Sequence, residues 1–573
     1  MRVLAVLLLG ATILQGSGLL GAGLLGSVPA AAKAPDLDVL IDNGVIYDGS
    51  GAAPYKGWVA FLGDRIAAIG HGMAPDAKRT VDAHGQAIAP GFVNMLSWAT
   101  ESLIADGRAQ SDVRQGVTLE VMGEGNSMGP LNPAMKALGA ARQDDIKFPI
   151  SWTTLGEYLT MLEKKGIAPN VASFVGATTV RVHELGEKDV DPTPEQLGRM
   201  KTLVRQAMNE GALGLGTSLI YAPAAYAETP ELVALATESA KCGGMYISHM
   251  RSEGDRIEGA VDELISIARQ SGGPAEIWHM KMSGKDNWGK LDTITAKIEA
   301  ARKSGIRITA NMYNYTAGAT GLDASMPLWV QDGGVEAWAQ RLKDPAIRAR
   351  VKAEMDKKGE GWENLYYAAG SPDNILLLGF KTAALKPLAG KTLGEVARMR
   401  GTSPEDTAMD LVVEDGTRVG TAYFLIDEAN VKRQVGLPWM SFGSDAGAPS
   451  AEGVFLLSHD HPRAYGNVAR LLGKYVRDEK AATLPDAIRR LTSLPVTNLG
   501  IKDRGTLKPG YFADVVVFDP ATITDHATFD KPAQYATGVA QVFVNGVQVL
   551  KDGEPTGAAA GRFVKGPGAG KCS

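Results

Sequence analysis

Cysteine and histidine are both scarce in this chain, with two and eight respectively in 573 residues. Cys242 falls in a helical pattern and Cys572 is the next-to-last residue, which argues against a structural disulfide framework and against a zinc site built from thiolates. A basic excess is missing as well. Lys plus Arg number 59 against 64 Asp plus Glu, a net charge of −5, and that balance excludes the profile of a nucleic-acid-binding protein. With 45% hydrophobic and 21% charged residues the chain is not disordered, and its length exceeds what one simple core holds. If it holds a metal, a handful of histidines must do so with carboxylate help.

Arg2 is the sole charge before Lys33. Between them lie an apolar run from Val3 to Leu14, a glycine-rich stretch and Val28-Pro29-Ala30-Ala31-Ala32. A short positive start, an apolar centre and an Ala-x-Ala end describe a secretory signal peptide over residues 1–32, although the uncharged run is also long enough for a membrane anchor. The glycines and the Ala-rich end favour cleavage. The expected protein is periplasmic or secreted, without stable membrane insertion once cleaved.

Beyond residue 33 the chain is β-rich at both ends, with alternating strands and helices between. Near the amino end, Asp38 to Ile41 and Val45 to Tyr47 read as a hairpin across Asp42-Asn43-Gly44, and Trp58 to Phe61 pairs with Arg65 to Ile69 across Gly63-Asp64. The carboxyl end repeats the style, with a strand from Ala513 to Phe518 and a turn at Asn545-Gly546. Neither end suffices for a core, so one small β-sandwich domain built from residues 33–90 and 496–573 is expected. Between them, strands near 119, 171, 245, 276 and 306 alternate with helical stretches such as Pro230 to Lys241, Ile257 to Gln270 and Leu291 to Lys303. The last three strands recur about every 30 residues, the length of a βαβ unit. Residues 91–495 therefore read as an α/β (β/α)8 barrel, with an insertion, a candidate lid, at about 323–375. A doubly wound sheet is the alternative, but no strand is followed by a glycine-rich phosphate fingerprint.

Polar groups at strand ends supply the candidate site. His249 ends the strand from Met245, His279 follows Glu276-Ile277-Trp278, Glu124 follows the Leu119 to Met122 strand, and Asp445 follows Trp439 to Ser444. Two imidazoles and a carboxylate form a catalytic zinc set that leaves a position open for water. A further carboxylate could then move protons. His71, His84 and His526 read as surface residues, and His459-Asp460-His461 imitates a ligand pair inside a loop. A rival motif, Gly125-Asn126-Ser127-Met128-Gly129, fits the G-x-S-x-G nucleophile elbow, with Asp445 and His459 or His461 downstream. The Pro130-Leu131-Asn132-Pro133 after it does not start a helix as an elbow requires.

Longer phrases carry a family resemblance. Gly244-Met245-Tyr246-Ile247-Ser248-His249-Met250-Arg251, Trp278-His279-Met280-Lys281-Met282-Ser283-Gly284, Gly443-Ser444-Asp445 and His461-Pro462-Arg463-Ala464-Tyr465-Gly466 resemble the N-acyl-D-amino-acid deacylases (D-aminoacylases) of the amidohydrolase superfamily. The resemblance implies a barrel beside a small β-domain and zinc-dependent hydrolysis of an N-acyl amide. It implies His249 and His279 as metal ligands, Asp445 as acid/base, and Lys281, Arg463 and Tyr313 as the holders of the substrate carboxylate. The departures are equally specific. Where the superfamily has His-x-His after Pro90-Gly91-Phe92, this chain has Leu96 and Trp98, and where D-aminoacylases carry a metal-binding Cys it has Glu124. Asn311 and Asn314 stand where Asp and Pro are usual, and Ala177 follows Gly176 where the family has His.

The expected centre is one zinc on Glu124, His249 and His279, in an amidohydrolase acting on a small N-acyl amino acid or related amide. No nucleic acid is expected as a partner, and a homo-oligomer is compatible with the sequence. The competing readings are a non-catalytic, amidohydrolase-like binding protein and a hydrolase dependent on Ser127.

Overall fold

The computed structural model describes residues 36–572, so the leader expected at residues 1–32 lies outside the described residues. A ring of parallel strands forms the centre: β1 (Phe92–Asn94), β2 (Val117–Met122), β3 (Asn170–Ser173, resumed as Val175–Gly176), β4 (Gly214–Ser218), β5 (Met245–His249), β6 (Ala275–Ile277), β7 (Ile308–Met312) and β8 (Met440–Phe442). The ring closes between β8 and β1 through Met95 N to Phe442 O (3.0 Å), Asp445 N to Leu96 O (2.9 Å) and Trp98 N to Ala446 O (2.8 Å). Every residue of β2, β4, β5 and β6 is buried. Such strands lack the alternation of a one-sided sheet because helices cover the outside and side chains fill the interior.

The helices between β4 and β7 are α1 (Thr229–Lys241), α2 (Ile257–Ser271) and α3 (Leu291–Lys303). In α2 the buried residues Ile257, Ala260, Val261, Leu264, Ile267 and Ala268 recur every three or four positions and form the stripe laid on the barrel. The helix stops at Gly272, which takes the left-handed conformation that closes a helix end without a Cβ clash. Between β7 and β8 the chain leaves the barrel for residues 313–439. This excursion holds an antiparallel sheet with Gly420–Phe424 between Ala317–Gly321 and Ile375–Gly379, and it walls one side of the cavity at the barrel mouth.

Both ends of the chain meet in one nine-stranded sheet, joined where Ala87–Pro90 pairs antiparallel with Val515–Phe518. The hairpin expected at Asp42-Asn43-Gly44 is not one. Leu37–Ile46 is a single strand with a register shift between Ile41 and Gly44, and Asn43 takes φ 56° there. The bulge redirects the strand from its first parallel neighbour, Ala77–Asp82, to its second, Ala87–Pro90, so turn-type residues bend a strand instead of reversing it. The hairpins at Gly63-Asp64 and Asn545-Gly546 form as expected.

The two cysteines also require a correction. Cys242 and Cys572 form a disulfide, their Cα atoms 5.4 Å apart across a separation of 330 residues. Sequence distance conceals the pairing because the tail runs along the amino ends of the strands. It hydrogen-bonds Ile167, Val171, Gly211 and Asn209 before it reaches the end of α1. Among the described residues no helix is long and apolar enough to cross a membrane.

Candidate metal centre

Glu124 leaves β2 between Gly123 (φ 103°) and Gly125 (φ 67°). A Cβ on Gly123 would sit 2.3 Å from the Phe174 carbonyl oxygen, and one on Gly125 would sit 2.4 Å from Ser218 Cβ. Only glycine lets the backbone pass this close to β3 and β4, and the carboxylate is thereby aimed across the barrel mouth. His249 is the last residue of β5. His279 and Asp445 lie just beyond β6 and β8 with φ of 33° and 51°, a left-handed backbone that costs a non-glycine residue about 1–3 kcal/mol. Surrounding bonds hold His279 there: its N–H donates to Asn311 Oδ1 (2.8 Å), and Asn311 Nδ2 donates to Glu276 Oε1 (3.0 Å).

The three side chains converge. Glu124 Oε1 is 3.0 Å from His249 Nδ1 and 2.9 Å from His279 Nε2, and one ligand atom from each residue falls within 4.8 Å of the others. All three residues are buried. Burial pushes the Glu124 carboxyl up, but the two imidazoles outweigh it and hold that group well below the usual carboxylate range. For His279, burial and the Lys281 ammonium push downward while Glu253 and Glu124 prevail, so its pKa is pushed up to about 9. A negative oxygen flanked by two ring nitrogens is a donor set that suits a divalent ion of zinc type.

Glu253 is the group that sequence reasoning missed. Its carboxylate lies 2.9 Å from His279 Nδ1 and 3.6 Å from His249 Nε2, and it accepts from Lys281 Nζ at 2.6 Å. With Glu253 and the Lys281 Nζ, 2.8 Å away, both at Nδ1, His279 presents Nε2 as its ligand atom, the outer-shell arrangement that orients metal-bound imidazoles. The available signal was Glu253 itself, four residues after His249 at the mouth of the barrel. Burial raises Glu253, but Lys281 and the imidazoles overcome it and keep the group ionised.

Asp445 faces this centre. Burial raises its pKa against the opposing Arg463, whose Nη1 lies 2.8 Å from Asp445 Oδ2. That contact is an ion pair without hydrogen-bond alignment, so the buried Arg463 Nε and Nη1 keep no hydrogen-bond partner. The Arg463 guanidinium lies 4.4 Å and the Lys281 ammonium 5.4 Å from the Tyr313 ring centre. Lys281, Tyr313 and Arg463 all line one cavity of about 650 Å³ together with Glu124, His249, His279 and Asp445. Trp98 lines it as well, partly exposed, and its indole N–H lies 3.1 Å from both Glu124 Oε2 and Asp445 Oδ1.

The remaining candidates take structural roles. The Ser127 hydroxyl donates to Gly129 O (2.6 Å) and accepts from Gly176 N (2.9 Å), and neither His459 nor His461 is its partner. His459 Nε2 contacts Phe529 O, and His461 Nε2 contacts Ala317 O at 3.1 Å. The elbow geometry is absent: Ser127 lacks the strained left-handed backbone of a nucleophile elbow, and the next helix starts only at Pro133. His71, His84 and His526 are exposed.

A family model, the Amidohydrolase family, matches residues 79–550. D-aminoacylase of Alcaligenes xylosoxydans xylosoxydans is 32% identical over 92% of this chain and 97% of its own length. N-acyl-D-glutamate deacylase of the same organism is 30% identical over 91% and 95%. Among solved structures, N-acyl-D-glutamate deacylase of Bordetella bronchiseptica, complexed with zinc and a phosphonate mimic of the tetrahedral intermediate, superposes with TM-score 0.76 at 29% identity, covering 92% of this chain and 100% of that one. A D-aminoacylase described as having a binuclear metal centre, with one-metal activation and second-metal attenuation, superposes with TM-score 0.76 at 31% identity and the same coverage.

Proposed function

Since this chain belongs to the amidohydrolase family, we propose that its barrel hydrolyses the amide bond of an N-acyl amino acid of the D-series, using a single zinc ion. The observation that carries the reading is the convergence of Glu124, His249 and His279 in one cavity with Asp445 beside them, across the Trp98 indole N–H from Glu124. Zinc held by those three residues would polarise the scissile carbonyl and acidify a water. The chain's own groups perform the rest. Arg463, with two buried donors that make no hydrogen bond, takes the substrate carboxylate, and Tyr313 and Lys281 complete that end of the cavity. Asp445 accepts the attacking water's proton and returns it to the departing nitrogen. The C–O bond forms, the C–N bond breaks, and a carboxylic acid and an amino acid leave. Its raised pKa suits both halves of that transfer. Glu253 keeps the His279 ring in its ligating orientation.

The proposal includes export to the periplasm or beyond. The leader-like residues 1–32 support it, and so does the Cys242–Cys572 disulfide, a bond that persists in oxidising compartments. Metal analysis and a paired screen of N-acyl D- and L-amino acids test the reading. About one zinc per chain with D-selective turnover is expected. A metal-free protein that still hydrolyses these amides, or a zinc-loaded one that hydrolyses none, would overturn it.

A further inference from the structure

Trp98 takes a place where the superfamily pattern puts a metal-binding histidine, and Leu96 takes the other. Leu96 is fully buried in the apolar cluster under the mouth and offers no lone pair. Trp98 offers the opposite of a lone pair, a single N–H, and that N–H lies between two carboxylates carried by different strands, 3.1 Å from Glu124 Oε2 and 3.1 Å from Asp445 Oδ1. The four carboxylate oxygens are thus divided. Glu124 Oε1 faces the two imidazoles and Oε2 the indole, while Asp445 Oδ1 faces the indole and Oδ2 faces Arg463. Two buried anions side by side need positive charge or donors between them. A second cation would supply that, but the residues here do not fit one, because the oxygens it would need already accept from an N–H and the two strand positions that should ligate it cannot.

We propose that Trp98 replaces the second metal ion of this fold. Its indole N–H bridges Glu124 and Asp445, positions Asp445 for proton transfer, and keeps the centre mononuclear however much zinc is supplied. This rests on the one-zinc reading and adds a positioning residue to it. The backbone sets the bridge in place. Trp98 N donates to Ala446 O, and Asp445 N donates to Leu96 O, so the two side chains leave neighbouring strand ends side by side. A donor from carbon-bound nitrogen also differs from a metal in one respect, since it cannot be removed by chelation or displaced by another ion.

The test uses full-length holoenzyme and three variants. Trp98→Phe keeps an aromatic ring without the N–H. A benzothiophene isostere placed at position 98 keeps the full indole shape and guards against a packing artefact. The double variant Leu96→His with Trp98→His restores the missing imidazoles. Zinc content is measured across a zinc titration, beside kcat and KM. The wild type is expected to saturate at one zinc per chain and to show no inhibition by excess zinc, while the double variant takes up a second equivalent. Both N–H-free variants should keep the first zinc and lose roughly 10–100-fold in kcat, the usual cost of an outer-shell partner, with KM within about twofold. A wild type that binds two zinc ions, or N–H-free variants with unchanged kcat, would overturn the proposal while leaving the first zinc and turnover intact. A wild type that binds no zinc at all would overturn the hydrolase reading and this inference together.

Discussion

At the carboxyl end of the barrel strands, polar groups are buried without hydrogen bonds. His249 Nε2, Thr178 Oγ1 and Arg463 Nε and Nη1 make no hydrogen bond, with His249 Nε2 and Arg463 Nη1 held only by ion-pair contacts to Glu253 and Asp445, and His279 and Asp445 hold left-handed backbone. At the amino end one buried network is closed on itself, although Arg490 Nε and Nη2 beside the start of β8 also lack hydrogen-bond partners. Arg504 binds Asp514 and Asn545, Asn545 Nδ2 donates to Asn170 Oδ1 (2.8 Å) at the start of β3, and the tail crosses this face to its disulfide. Unsatisfied donors and strained residues cost stability and persist where a ligand completes them. The contrast assigns chemistry to one end of the barrel and cohesion to the other, without appeal to any relative.

Substitutions at each end should separate those roles. The largest effect belongs to the ligands: Glu124→Ala or His279→Ala should remove bound zinc and reduce turnover to background, with metal analysis and kcat/KM measured on the same sample. Next comes Asp445→Asn, expected to keep zinc and lose about 10²–10⁴-fold in kcat, the range of a general acid–base. Zinc loss in that variant would instead place Asp445 among the ligands. Glu253→Gln should weaken zinc affinity roughly 10–100-fold, read by competition with a chelator.

The metal-free protein should also show a pH signature. His279 has a folded pKa raised to about 9, so its stabilising contribution is fully present below its ordinary value near 6.5 and is lost as pH rises through 9. The Tm of the metal-free protein should therefore fall between about pH 7 and 10, whereas zinc-loaded protein, in which the metal replaces that proton, should not follow. The smallest effect on activity belongs to the other face. Cys242→Ser should leave kcat unchanged and lower stability by about 2–4 kcal/mol, as thermal unfolding with and without reductant would show. A large activity change there would break the comparison between the two ends.

Much of the barrel is legible in the chain itself. Apolar runs near 245, 276 and 306 with amphipathic stretches between them announce strand–helix units, because buried parallel strands and one-sided helices have distinct periodicities. Glu124, His249, His279 and Asp445 stand at strand ends for the same reason. Glu253 is barely legible, because its spacing four residues after His249 is its one signal and a lone Glu in a loop carries no periodicity. The strand Leu37–Ile46 imitates a hairpin because Asp-Asn-Gly serves bulges as readily as turns. The Cys242–Cys572 pair escapes because 330 residues of separation carry no information about proximity.

By itself, then, the sequence determined the strand–helix alternation, the absence of the two first-strand histidines and the supply of one Glu and two His at strand ends. These are local properties of residue type and spacing. Only the tertiary structure decided that Glu253 buttresses His279, that Arg463 pairs with Asp445 without a hydrogen bond, and that an indole N–H lies between Glu124 and Asp445. Those relations join side chains from different strands, and closure of the barrel alone brings them within hydrogen-bond reach.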